Sequence, residues 1–294
     1  MSRGVVIYGV NNEKVDYVQL AVMCASFIRK NMPETDIHLI TDAGSKAWQD
    51  KKGCWEIENV FTSFSLIETD KQLFKNRRTY KDTRYYHFED TFKNESRSLI
   101  YDLSPYDETL LIDCDYLIAN PILNCCWGSD QEIMINSAAT NLFHEPFTGP
   151  EFRLNPFGIK MYWATVVYFK KGKKAALLFK LIEHIKENWD FYRLTYDVPG
   201  HLYRNDYAFS IAIHILNAFI EGDFVAPLPD PVLLTALDTD QFFSIKSPTD
   251  MYFFANDQKD NWKFFVSRTR DLNVHCMNKV SLLNNMTDIM ETLK

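Results

Sequence analysis

Asp113 and Asp115 stand one residue apart at the end of the apolar run Leu110-Leu111-Ile112, and apolar residues resume at Leu117 and Ile118. Burying carboxylates is costly unless a cation compensates them. On an extended backbone, residues two apart project to the same side, so this pair can converge on one ion. Hard divalent cations such as Mg²⁺ and Mn²⁺ take carboxylate oxygens. An isolated Asp-x-Asp is also explained by a solvated turn. The embedding in LLIDCDYLI favours a strand buried on both faces, as at the centre of a parallel sheet. Near the C-terminus, His275 follows Leu272 and Val274 as at the end of a short strand, with Lys279 four residues later. Alone, His275 reads as structural. Beside two carboxylates its imidazole makes a donor set better suited to Mn²⁺ than to Mg²⁺, and Lys279 can neutralise a phosphate. Arg97 precedes the segment that delivers the aspartates and can reach a diphosphate or pair with one carboxylate. Asp206, in RNDYAFS, either caps a helix or binds acceptor hydroxyls and stabilises a cationic transition state.

The elements that must position these residues read as α/β. Residues 5–10 (VVIYGV) are β-rich and apolar, residues 15–30 form a helix before Pro33, and residues 36–42 (DIHLITD) form a second strand. This is a right-handed βαβ unit. Open sheets of this type bind ligands beyond the carboxyl ends of their strands, which places Tyr8, Gly9, Val10 and Asn11 beside the cleft of the aspartates. No G-x-G-x-x-G follows the first strand and no Walker loop occurs, against a Rossmann dehydrogenase or a P-loop nucleotidase. Residues 71–97 are locally basic and interleaved with Tyr and Phe. They read as a solvated helical face with packing aromatics, or as an anion-binding rim for a nucleotide phosphate or a nucleic acid. Further on, residues 131–137 and 161–170 read as strands, 142–156 as a loop, and 174–189 as a helix with an apolar stripe. Residues 208–220 form a nearly all-apolar helix, capped by Asn205 or Asp206 and stopping at Gly222, with His214 inside it as a core histidine. Residues 226–262 read as a partly irregular cover.

The chain has 294 residues, 46% hydrophobic and 15% aromatic, which supplies ample core for one large domain or two packed halves. Its net charge of −7 is no general trap for nucleic acid, although a basic face remains compatible with one. The six cysteines show no metal-binding or disulfide spacing, no run reaches the roughly 20 apolar residues of a membrane span, and the first residues lack signal-peptide character. These features predict a cytoplasmic protein with reduced thiols.

Taken in order, VVIYGV, LLIDCDYLIANP, MYWATVVYFKK, RNDYAFSIA and NVHCMNK are similar to the GT-A nucleotide-sugar glycosyltransferases, in particular the retaining group of glycogenin and the lipopolysaccharide galactosyltransferases (glycosyltransferase family 8). The resemblance implies a GT-A (Rossmann-like) mixed, mainly parallel sheet flanked by helices. It implies one catalytic domain, with residues 1–125 binding the nucleotide sugar and 126–294 the acceptor. A Mn²⁺ (or Mg²⁺) site would comprise Asp113, Asp115 and His275. Donor contacts would come from Tyr8, Gly9, Val10, Tyr17, Asp113, Cys114 and Lys279, with Arg97 and Asp206 in catalytic roles. The implied activity is hexosyl or pentosyl transfer, with retention, from a UDP-sugar to a saccharide; the basic 71–97 segment adds a second candidate acceptor, a hydroxymethylated DNA base. The chain departs from the family where Asn205-Asp206-Tyr207 replaces the usual Asp-Gln-Asp, and where Cys276-Met277-Asn278-Lys279 replaces a Gly and Lys-Pro-Trp segment. A nucleotidyltransferase, or a non-catalytic nucleotide-sugar-binding protein, is the alternative.

Overall fold

A computed structural model describes residues 1–52, 59–68, 76–83, 85–147, 153–154, 158–198, 200–257 and 263–294. The chain begins with β1 (Arg3–Tyr8), α1 (Tyr17–Asn31), β2 (Asp36–Asp42), α2 (Ala43–Lys52) and β3 (Ser63–Ile67). A hairpin of β4 (Arg77–Lys81) and β5 (His87–Thr91) follows, then α3 (Ile100–Leu103), β6 (Glu108–Asp113) and β7 (Tyr116–Leu117). The middle holds β8 (Ile133–Asn136), β9 (Ala138–Asn141), β10 (Trp163–Lys170), α4 (Lys173–Glu187), α5 (Trp189–Thr195) and α6 (Asn205–Leu216). The last part comprises β11 (Val232–Ala236), β12 (Gln241–Ser247), β13 (Asp250–Asn256), β14 (Phe264–Arg270), β15 (Val274–Cys276), α7 (Lys279–Asn284) and α8 (Met286–Thr292).

The main sheet runs β3-β2-β1-β6-β10-β8. Its first four strands are parallel, and β10 is antiparallel to both β6 and β8. The mixed, mainly parallel sheet flanked by helices is thus the fold class expected from the sequence. Helix α1 is apolar on most faces because it lies between this sheet and the C-terminal helices α7 and α8. Asp16 caps it, accepting from the Gln19 N–H at 3.1 Å. Strand β6 is central, and Thr109 to Ile112 have no exposed surface, as its apolar run requires. A second sheet, β7-β15-β11-β9, and a three-stranded antiparallel sheet, β12-β13-β14, complete the fold. Among the described residues no helix is long and apolar enough to cross a membrane.

Four local expectations are corrected. Asp113 and Asp115 do not share one extended strand: β6 ends at Asp113, and Cys114-Asp115 form a turn into β7. The described part of residues 226–262, expected to be a partly irregular cover, is more regular than that, with three strands. Helix α6 ends at Leu216, because Ala218 and Phe219 adopt left-handed backbone (φ 59° and 65°), a conformation that terminates helices. The described part of the 71–97 stretch is a β-hairpin and a 3₁₀ turn, not a helical face. Lys71, Lys75 and Arg84 of that stretch, and much of the 142–156 loop, lie outside the described residues.

Gly4 shows how tightly β1 is seated. A Cβ there would lie 2.8 Å from the Asp36 carbonyl oxygen and closer still to the Tyr106 ring. Gly4→Ala is expected to cost about 1–3 kcal/mol. Urea unfolding would show a lowered midpoint with an unchanged slope.

Candidate active site

Where β6 ends, the chain leaves the main sheet and enters the second one, and this crossing builds the site. Strand β7 pairs antiparallel with β15, with His275 opposite Tyr116, and the Cys276 N–H donates to the Asp115 carbonyl at 2.9 Å. Potential ligand atoms of Asp113, Asp115 and His275 consequently lie within 4.8 Å of one another. The turn is pinned from α1, where the Cys24 thiol donates to the Tyr116 carbonyl at 3.1 Å. Burial, then the neighbouring Asp115 carboxylate, push the Cys114 thiol up, so it stays neutral in the interior.

Each carboxylate has its own cation. Asp115 is 2% exposed and meets the buried Lys279 Nζ at 2.5 Å. Asp113, nearer the opening, is bridged by Arg97. Burial pushes both carboxyls up. For Asp113 that effect prevails over Arg97, with the Asp115 charge adding to it. For Asp115 it is overcome by Lys279 and His275, which hold the group well below the usual carboxylate range. The His275 Nε2 lies 3.6 Å from Asp115 Oδ2, and its buried Nδ1 has no hydrogen-bond partner among the described residues. Two carboxylates and an imidazole with an uncommitted nitrogen form a donor set that could hold a divalent cation. Lys279 and such a cation would compete for one carboxylate.

Arg97 also donates to the Ala164 carbonyl at 3.0 Å, while the Ala164 N–H donates to Asp206 Oδ1 at 2.9 Å. Ala164 is exposed to this treatment because β10 slips its register against β8 between Trp163 and Val167, and its pairing with β6 reaches only to Val166. The other Asp206 oxygen accepts from Arg204 at 2.8 Å. Asp206 therefore does not cap α6, which starts after Arg204 without a side-chain cap. Burial raises the Asp206 carboxyl, but Arg204, the Ala164 N–H and Arg97 outweigh it and leave the group below its ordinary value. The folded state thus holds the ionised form more strongly than the unfolded chain does. Its contribution is complete above about pH 4 and is lost as pH falls through the lowered folded-state value. Urea melts below about pH 4 are expected to show a steeper acid loss for wild type than for Asp206→Asn.

Tyr8, Val10, Tyr17, Arg97, Asp113, Cys114, Asp115, Asp206, His275 and Lys279 all line one cleft. Gly9 is not part of that lining; its N–H pairs with the Ile40 carbonyl at 2.9 Å, and a Cβ would sit 3.0 Å from the Tyr17 carbonyl oxygen. Gly9 serves the close approach of α1 to β1. The Tyr17 hydroxyl is buried against the Tyr80 hydroxyl at 2.8 Å, tying the β4–β5 hairpin to α1. Arg78 lies over the Tyr80 and Phe92 rings (5.5 and 5.1 Å) and lines the same cleft, so the basic stretch contributes to the cleft wall. Sequence reasoning missed Arg204; its only signal was an Arg two residues before Asp206. His214, expected in the core, is half-buried and packs edge-on against Tyr196 and Phe219.

No protein-family model matches this chain, and no curated protein does. Solved structures do. The galactosyltransferase LgtC, in complex with donor and acceptor sugar analogs, is 14% identical, over 71% of this chain and 70% of that one, with a TM-score of 0.44. The glycosyltransferase GlyE of Streptococcus pneumoniae TIGR4 is 14% identical over 78% of this chain, with a TM-score of 0.43. This chain spans about half of GlyE, 46% of its length. Mouse xyloside xylosyltransferase 1 is 12% identical over 77% of this chain and 85% of that one, with a TM-score of 0.43. Likeness at this level assigns no activity.

Proposed function

We propose that the chain is a metal-dependent GT-A glycosyltransferase, moving a hexose or pentose from a UDP-sugar to a hydroxyl acceptor, a saccharide or a hydroxymethylated DNA base, with retention. The observation that carries this reading is the convergence of Asp113, Asp115, His275 and Lys279 with Tyr8 and Val10 in one cleft at the carboxyl ends of β1 and β6. That is where an open α/β sheet binds a nucleotide. A nucleotidyltransferase is disfavoured by the absence of a glycine-rich loop after β1.

Asp113, Asp115 and His275 would hold the cation, which when bound supplies Lewis-acid neutralisation of the diphosphate. Tyr8, Val10 and Tyr17 would contact the nucleoside. As the donor binds, its phosphates offer Lys279 and Arg97 new partners in place of the two aspartates. As the bond between the sugar C1 and the phosphate oxygen breaks, its electron pair goes to that oxygen, and both side chains stabilise the growing charge. The acceptor oxygen forms the new bond to C1 while its proton passes to the leaving phosphate. No protein nucleophile is required, and Asp206 has both oxygens engaged.

The test is release of UDP from UDP-glucose, UDP-galactose and UDP-xylose in the presence of Mn²⁺, followed by a coupled assay. Turnover of one donor, abolished by EDTA and restored by Mn²⁺, is expected. UDP release that is indifferent to EDTA would reject the metal-dependent reading.

A further inference from the structure

On this reading of the cleft, we propose that Arg204 is a substrate-contacting cation that binds the donor's diphosphate, and that Asp206 is its positioning residue rather than a group that acts on substrate. Arg204 lines the cleft with Asp113, and its side chain is 28% exposed. Of the five N–H donors of a guanidinium, the 2.8 Å bond to Asp206 occupies one and the Tyr207 hydroxyl is a second polar partner, which leaves further donors for an oxyanion.

Its orientation is fixed from two sides. Below it, the Tyr207 ring lies 5.1 Å from the guanidinium, and Trp189 stacks on Tyr207 at 6.3 Å with 7° between the planes. Beside it, Asp206 is held by the Ala164 N–H at 2.9 Å. The carbonyl of the same Ala164 holds Arg97 at 3.0 Å. One residue of β10 therefore sets the spacing of two guanidinium groups, Arg97 directly and Arg204 through Asp206. Two arginines positioned by one rigid strand are suited to a group with several anionic oxygens, which a diphosphate is and a neutral sugar hydroxyl is not. Both Asp206 oxygens already accept from the protein, Oδ1 from the Ala164 N–H and Oδ2 from Arg204, which fixes the carboxylate in its positioning role.

Calorimetric titration with inorganic pyrophosphate in the presence of Mn²⁺ tests this without needing the correct sugar. Arg204→Gln keeps planar donors but removes the charge, and is expected to weaken pyrophosphate binding about ten- to a hundredfold. Arg204→Lys should recover part of that loss, and Mn²⁺ alone should bind both variants like wild type. Asp206→Asn should weaken pyrophosphate binding less, and adding it to Arg204→Gln should cost nothing further, because the two residues act as one unit. If wild type binds Mn²⁺-pyrophosphate and both Arg204 variants bind it equally well, this inference is overturned while the metal site stands. Losses that multiply in the double variant would overturn the positioning role of Asp206. Failure of wild type to bind Mn²⁺-pyrophosphate would overturn the inference together with the reading of the cleft.

Discussion

Asp115→Asn is expected to lower metal-dependent turnover of the nucleotide sugar by about a thousandfold or more. Asp115 is the pivot of the site: its carboxylate faces Lys279 at 2.5 Å and His275 at 3.6 Å, and it lies within ligand distance of Asp113. The amide is nearly isosteric but uncharged, and one of its two heads donates instead of accepting. It therefore weakens the cation site and also leaves the 5%-exposed Lys279 without a counter-charge. Breaking a buried pair from one side costs about 3–5 kcal/mol. The variant should accordingly melt lower as well as turn over poorly. Asp113→Asn should lose turnover with a smaller stability cost, since the Asp113 side chain is 25% exposed. Donor hydrolysis by a variant that remains folded separates the two effects. Retention of a tenth or more of wild-type turnover by Asp115→Asn would remove Asp115 from the cation site.

Lys279→Met should change stability and metal affinity in opposite directions. Without the ammonium, the buried Asp115 carboxylate loses its nearest cation, and the apo protein should lose about 3–5 kcal/mol. Mn²⁺, however, no longer competes with Lys279 for that carboxylate. The variant should bind Mn²⁺ alone more tightly than wild type and gain more stability from it. With a nucleotide present the order should reverse, because the phosphates lose a cation. Thermal melts with Mn²⁺, with UDP and with both read all three effects. A Lys279→Met protein stabilised less by Mn²⁺ than wild type would show that lysine and metal do not share Asp115.

The residues that gather in this cleft stood out in the sequence because charged residues inside apolar runs are costly. Asp113 and Asp115 in LLIDCDYLI, and His275 with Lys279 behind Val274, met that description. The geometry joining them was not legible. An apolar run has the same composition whether the strand continues through Cys114-Asp115 or turns there into another sheet, as it does. The end of α6 failed for a similar reason. Apolarity continues to Ile220, but the backbone turns left-handed at Ala218 and leaves Phe219 and Ile220 about two-thirds exposed (66% and 65%). Strands β12 and β14 escaped notice because their burial does not alternate cleanly: Phe264, Phe265 and Val266 of β14 are all exposed. Asp206 was open to a capping reading because Asp near a helix start usually caps. Of the partners that claim it, Arg204 is a near neighbour in the chain, whereas the Ala164 N–H depends on a register slip that only the fold reveals.

The most direct measurement is a Mn²⁺ titration of wild type and Asp115→Asn, each with and without UDP, read by calorimetry. Lys279 sits on Asp115, and on the proposed reading the donor's phosphates draw it away, so UDP should tighten Mn²⁺ binding to wild type and Mn²⁺ should tighten UDP binding by the same factor. Both effects should vanish in Asp115→Asn. Equal Mn²⁺ affinity with and without UDP, or undiminished coupling in the variant, would contradict the assignment of this cluster as a nucleotide-linked cation site.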